Sequence, residues 1–280
     1  MLCTPITTHF GASVRGVDLN VPQSEQVRAE IRDLLYMHRL LVFKDQGKVS
    51  AESQLEVSRW FGGIESTFFK HPRSPHPDVF RVSNDEAEGC RNVGRSGWHI
   101  DGVFMPMPFQ VQTMHFWSVS KGGNTLFSPL HELVESLPTE TRAQWERLWF
   151  VGRGHSAVHP LIYRHPMTGR STLCFHCGEP FVETFARDYV AGNAESVLTA
   201  QQTQAMLREL TAHLEDPSRL YAHEWSLGDF AIIDNLAVAH YAHPDTQAPP
   251  EQVGLRILHR TTVAGRSVPE PFRRPELIRP

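Results

Sequence analysis

The stretch Trp98-His99-Ile100-Asp101-Gly102 decides how the rest of the chain is read. As an extended segment it projects residues i and i+2 to one face, so His99 and Asp101 offer an imidazole nitrogen and a carboxylate oxygen to one cation. Fe(II) accepts such a mixture, and a second His would complete a face that leaves positions open for substrate and O2. The tripeptide by itself is ordinary. With 16 His and 31 acids in 280 residues, chance supplies about two His-x-acid triplets. The chain has His76-Pro77-Asp78, His99-Ile100-Asp101, His213-Leu214-Glu215 and His243-Pro244-Asp245, so the surroundings must carry the reading.

Outward from this stretch the pattern is strand-rich. Between residues 79 and 127, Phe80 and Val82, then Val111, Thr113, His115 and Trp117, alternate with their neighbours, which fits two facing sheets. Leu40-Leu41-Val42-Phe43 is a continuous apolar run bounded by charge and reads as a buried strand. Residues 230–233 and 255–263 are further strands, residues 5–21 hold two short ones, and residues 164–175 read as a hairpin around Met167-Thr168-Gly169-Arg170. Ser24 caps a helix whose Val27, Ile31, Leu34 and Leu35 share a face, and a second helix over about residues 50–61 stops at Gly62-Gly63. A short helix over 130–137 is closed by Pro138, after which Thr139 caps another through Leu148. Thr199 with Gln202 forms a capping-box pattern ahead of Met206, Leu207, Leu210 and Leu214. The pattern lacks the regular alternation of a doubly wound sheet and predicts a mainly β, double-sheet architecture with helical insertions. No repeat, low-complexity tract or composition break divides the chain, which predicts one domain over 1–280 with an extended tail over 267–280.

Composition removes several classes of function. Lys and Arg number 27 against 31 acids, a net charge of −4, so no basic excess is present to hold a polyanion. Apolar runs fall short of the roughly 18 to 20 residues of a bilayer span, and the first residues lack a leader pattern, so a cytoplasmic chain is expected. Cys3, Cys90, Cys174 and Cys177 are too few for a disulfide framework and are expected reduced. Cys174-Phe175-His176-Cys177 supplies only half a structural zinc site and reads as buried structural thiols.

Several segments in order then resemble the Fe(II)/2-oxoglutarate-dependent dioxygenases of the taurine dioxygenase (TauD/TfdA) family. They are residues 11–19, 38–46, Phe61-Gly62, 98–101, 122–127, His165-Pro166 with Thr168-Gly169, Asp234-Asn235, His240-Tyr241-Ala242, and Arg256 with His259-Arg260. The resemblance implies a double-stranded β-helix (jelly-roll) core. It also implies that His99, Asp101 and His240 hold iron, that Thr125 and Arg256 hold the distal carboxylate of 2-oxoglutarate, and that O2 is the third reactant. His223, His243 and His259 are rivals to His240, but the family ligand follows the Asp-Asn turn and precedes Tyr-Ala; the rivals are expected at the surface or behind the ligands. The chain departs from the family at Ile233 and Leu236, beside Asp-Asn, while retention of an acid at Asp101 implies hydroxylation or desaturation rather than halogenation.

On a strand Arg256, Leu258 and Arg260 share a face, so both guanidinium groups are predicted to point into one cavity. A guanidinium pairs with carboxylates through two parallel bonds and stays charged. Arg260, with His71 and Arg95 by looser correspondence, is expected to favour an anionic substrate such as a carboxylate or sulfonate. Phe104, Phe109 and Phe181 are expected to form an apolar wall. The expected partner is thus a small, anionic molecule, with a homo-oligomer left open, and neither nucleic acid nor membrane. Two alternatives remain at this point: a metal-dependent hydrolase using the same ligands, in which Thr125 and Arg256 have no task, and a non-catalytic β-sandwich binding module.

Overall fold

The computed structural model describes residues 1–66, 68–189 and 192–272. Its principal sheet runs, in spatial order, Leu2–Pro5, Ala12–Arg15, Leu40–Phe43, Phe230–Asp234, Val111–Ser118, Ile257–Val263 and Ile64–Glu65, with Phe80–Ser83 also pairing on Ile257–Val263. Ala12–Arg15 and Leu40–Phe43 pair in parallel, and the other neighbours are antiparallel. A second sheet, Tyr221–His223, Thr125–Pro129 and Val238–Ala242, closes over it. The two make the jelly roll that the sequence pattern and the resemblance predict.

Period-2 alternation explains why the apolar runs are continuous. Leu41, Phe43, Phe230 and Ile232 pack outward with Ile31, Leu35 and Val57 of the flanking helices. Leu40, Val42, Ala231 and Ile233 pack inward with Phe80, Met114, Phe127 and Val238 between the sheets. Both faces are buried, so no polar stripe is needed, and each large apolar side chain contributes about 1.5–3 kcal/mol on burial. The same alternation on Ile257–Val263 sends His259, Thr261 and Val263 toward helix Ala51–Arg59, where Gln54 donates to the His259 carbonyl and Ser58 bonds Thr261. Arg256, Leu258 and Arg260 are left facing inward.

Two helices start where the predicted caps Ser24 and Thr199 place them, and Ser50 caps a third. Ser24 Oγ accepts from Val27 N ahead of Glu25–His38, Ser50 Oγ accepts from Ser53 N ahead of Ala51–Arg59, and Thr199 with Gln202 forms a full capping box on Ala200–Leu214. Three readings need correction. Thr139 is the first helical residue of Thr139–Trp145, not its cap; Pro138 precedes it without a side-chain bond. That helix also ends before Leu148, which opens strand Leu148–Gly152, because Leu148 and Phe150 are buried with Phe185 in a second core. The two early strands are Leu2–Pro5 and Ala12–Arg15, so the first lies ahead of the expected start. The hairpin is Ile162–Arg164 with Ser171–Leu173. Of the predicted tail, Pro271 bridges to Tyr163 and Phe272 lies against the guanidinium groups of Arg142 and Arg164; residues 273–280 lie outside the described residues.

Candidate metal centre and its two cavities

The 98–100 segment is held as an extra strand between Val238–Ala242 of the second sheet and residues 174–177. His99 exchanges backbone hydrogen bonds with His240 at 3.2 and 3.0 Å, Ile100 N donates to the Phe175 carbonyl, and Cys177 N donates to the Trp98 carbonyl. Extended pairing stops at His99 and Ile100, and the chain turns at Asp101-Gly102. Gly102 is required there: its φ is +82°, and a Cβ would stand 2.7 Å from Phe109 N.

This geometry brings the three predicted ligands together. His99 Nε2 lies 3.9 Å from Asp101 Oδ1, His240 Nε2 lies 3.5 Å from Asp101 Oδ2, and one donor atom from each residue falls within 4.8 Å of the others. A cation with bonds of about 2.0–2.2 Å holds neighbouring donors at about 3 to 3.5 Å, so small side-chain adjustments suffice. His99 Nδ1 donates to the Gly97 carbonyl at 2.7 Å, which leaves the lone pair of Nε2 turned to the centre. Burial, then His240, pushes the His99 imidazole down to about 4 against the pull of Asp101, so it is neutral at neutral pH. Burial would raise the Asp101 carboxyl, but Arg260 and the two imidazoles outweigh it and hold the group well below the usual carboxylate range. Two imidazoles and one carboxylate converging beside a cavity are a donor set that suits a non-haem ferrous ion.

A small cavity of about 30 Å³ adjoins His240 and is lined by Thr125, Arg256, Met114, Leu258 and Arg260 among others. Arg256 is 4% exposed, its guanidinium stands over the Phe116 ring at 4.7 Å, and its Nε has no hydrogen-bond partner among the described residues. Burial pushes its pKa down to about 10, with Asp245 opposing, and it stays charged at neutral pH. Its backbone is pinned by Asn84 Oδ1 and the Ser83 hydroxyl. Thr125 is a buried strand residue whose Oγ1 accepts from Trp225 Nε1 at 2.9 Å, so its own proton is free to be donated elsewhere.

A second cavity, near 390 Å³, opens on the other side of His99 and Asp101. Phe104, Phe109 and Phe181 line it as predicted, joined by Phe68, Phe69 and Phe80. Arg260 also lines it, donating to Asp101 Oδ2 at 2.8 Å while lying 5.1 Å over the Phe80 ring. His71 and Arg95 do not. His71 Nε2 donates to the Glu86 carbonyl, and Arg95 donates to Asn92 Oδ1. Of the rival histidines, His223 and His259 are buried rather than superficial, bonded to Tyr221 and Arg81 respectively, while the exposed His243 pairs with Asp245.

His176 and Phe80 are among the lining residues that the sequence reading does not assign to the site. His176 was read only as part of a Cys pair, yet its ring lies nearly parallel between His99 at 4.8 Å and Phe181 at 4.3 Å on the cavity wall. Phe80 carries the signal that could have found it, an inward position on a strand paired with the one bearing Arg260. All four cysteines are free, with Cys174 buried and Cys177 partly so.

Residues 3–262 match the family model described as "Taurine catabolism dioxygenase TauD, TfdA family". The chain is 29% identical to the pentalenolactone F synthase of Streptomyces arenae, over 86% of this chain and 89% of that protein. It is 24% identical to an (S)-phenoxypropionate/alpha-ketoglutarate-dioxygenase of Sphingobium herbicidovorans, over 93% and 94% of the two chains. Among solved structures, a putative alpha-ketoglutarate-dependent taurine dioxygenase from Burkholderia xenovorans superposes with a TM-score of 0.78 at 27% identity, covering 96% of this chain and 93% of that one.

Proposed function

As the chain belongs to the taurine catabolism dioxygenase TauD, TfdA family, we propose that His99, Asp101 and His240 hold its ferrous iron. The enzyme is a dioxygenase that uses Fe(II), 2-oxoglutarate and O2. When bound, the iron supplies O2 activation coupled to oxidative decarboxylation of 2-oxoglutarate to succinate and CO2. This chain's residues bind and orient what reacts there. Arg256 receives the distal carboxylate in the small cavity, because a buried guanidinium without an acid in hydrogen-bond contact is an anion site waiting for its partner. Thr125 donates a hydroxyl hydrogen bond to the same carboxylate, its oxygen already accepting from Trp225 Nε1.

The substrate enters the larger cavity and loses hydrogen from a C–H bond, by hydroxylation or desaturation. Its apolar body lies on Phe104, Phe109 and Phe181, which exclude water from the reacting carbon, and an anionic group such as a carboxylate or sulfonate meets Arg260. Arg260 retains an unpartnered Nε among the described residues beside its bond to Asp101, so it can serve both. Placement within about 3–3.5 Å of the oxidant is the protein's contribution to rate. The observation that carries this reading is the buried Arg256 lining a small cavity beside His240. A metal hydrolase would leave that charge without a task, and a passive binding module would need neither it nor the converging donors.

The test is succinate release that requires Fe(II), 2-oxoglutarate and O2 together and rises with one member of a panel of carboxylates and sulfonates graded in ring size. Succinate release that persists in His240→Ala, or a panel response indifferent to the anionic group, would overturn the respective assignment.

A further inference from the structure

We infer that Asn235 is a positioning residue whose side-chain amide cinches the 101–109 loop, fixing at once the carboxylate donor Asp101 and the aromatic wall of the larger cavity. The inference rests on the metal assignment proposed above. Asn235 is fully buried. Its Oδ1 accepts from Asp101 N at 2.8 Å, and its Nδ2 donates to the Asp101 carbonyl at 2.9 Å and to the Phe109 carbonyl at 2.6 Å. Where the ladder through His99 and Ile100 ends, the amide therefore takes the place of the next strand, engaging both backbone groups of Asp101. The third bond ties in the far end of the loop, so that residues 102–108, with Phe104 among them, form a lasso closed at one point.

The clamp is itself immobilised. Asn235 N donates to the Gln110 carbonyl and Asp234 N to the Arg39 carbonyl. Asp234 Oδ1 accepts from His165 Nε2 at 3.1 Å, with both side chains 1% exposed, and from Leu236 N at 3.2 Å. His165 Nδ1 accepts from the amides of Met167 and Thr168, which leaves its proton on Nε2 and directs it at Asp234. Only an amide fits the position. A carboxylate would turn oxygen toward two carbonyl oxygens, and a shorter side chain would leave three buried backbone groups unpaired.

The test compares the full chain with Asn235→Asp and Asn235→Ala, and with Leu210→Ala as a destabilised control in the core under helix Ala200–Leu214. Anaerobic titration with Mn(II) and amide hydrogen exchange are read on each. Both Asn235 variants are expected to lose about 10- to 100-fold in Mn(II) affinity, as supporting partners of metal ligands do, and to exchange faster across residues 102–108. Leu210→Ala lowers the melting temperature with neither change. An Asn235 variant that binds Mn(II) as tightly as the parent, with the loop equally protected, overturns the inference. Should neither variant fold, exchange in the parent decides: an Asp101 amide protected like those of the sheet supports the cinch, and rapid exchange refutes it. A parent that ignores Mn(II) sinks the metal assignment instead, a result distinct from parent and variant binding alike.

Discussion

The two cavities flanking His99, Asp101 and His240 treat their arginines in opposite ways. Arg256 stands in about 30 Å³ over an aromatic face, with no acid in hydrogen-bond contact among the described residues. Arg260 stands in a space near 390 Å³ and is already bonded to Asp101. The same residue type, four positions apart in the chain, is in one case set over a ring and in the other tied to a carboxylate. A snug charged chamber suits one constant diacid; a roomy aromatic one suits a substrate that differs from relative to relative. On the reading proposed above, the difference teaches that the two recognitions divide between the cavities, with Arg260, which lines both, as the point where they meet.

Four experiments break or sharpen that separation. Replacing Asp101 or His240 with alanine removes a donor common to both sides, and Mn(II) affinity should fall by more than about a hundredfold, beyond the loss typical of supporting residues; calorimetric titration reads it, and undiminished affinity would remove the centre from between the cavities. Arg256→Met should weaken 2-oxoglutarate about a hundredfold while sparing Mn(II), and Arg256→Lys should recover only part, since an ammonium cannot make the paired contact. Equal loss of metal in Arg256→Met would show the chambers to be one.

Acid offers the third. Burial pushes His131 down to about 4 and His259 down to about 3. Against an unfolded value near 6.5, their stability contribution is complete above that pH and is lost as pH falls toward the folded values, at about 1.4 kcal/mol per unit for each group. His259 lies on the outer side of the strand that carries Arg260 and follows Arg256, so urea midpoints should drop between pH 7.5 and 5.5 with both binding functions failing together. A constant midpoint would show these imidazoles to be solvated. Last, Phe104→Ala should raise the KM of the best panel substrate about tenfold and leave that of 2-oxoglutarate alone; a change in the latter would join what the cavities keep apart.

The parts legible in the sequence were those that depend on local period or on chemistry peculiar to a residue type. Leu40–Phe43 and Phe230–Asp234 were readable as strands because both faces are buried, and Arg256 with Arg260 because alternation alone puts them on one side. Ser24 and Thr199 announced their helices. What stayed hidden depends on chain paths that meet only in space. Nothing in Asp234-Asn235 says that its amide reaches Asp101 and Phe109, more than a hundred residues away. His176 was masked by the two cysteines beside it, and His71 and Arg95 turn to local carbonyl and amide oxygens instead of the cavity. Thr139 looked like a cap because its residue type favours one, while the preceding proline had already set the entry angle.

Arg260 rides on a pleated rod sewn to neighbours on both edges, and Arg256 stands one residue ahead of that rod with its backbone fixed by Asn84 and Ser83, about 13 Å away along an extended chain. Such a rod is a fixed gauge. Molecules taken up by this enzyme must conform to its graduation, so new specificity is expected to arise from altering the padding around the gauge and not from moving its marks.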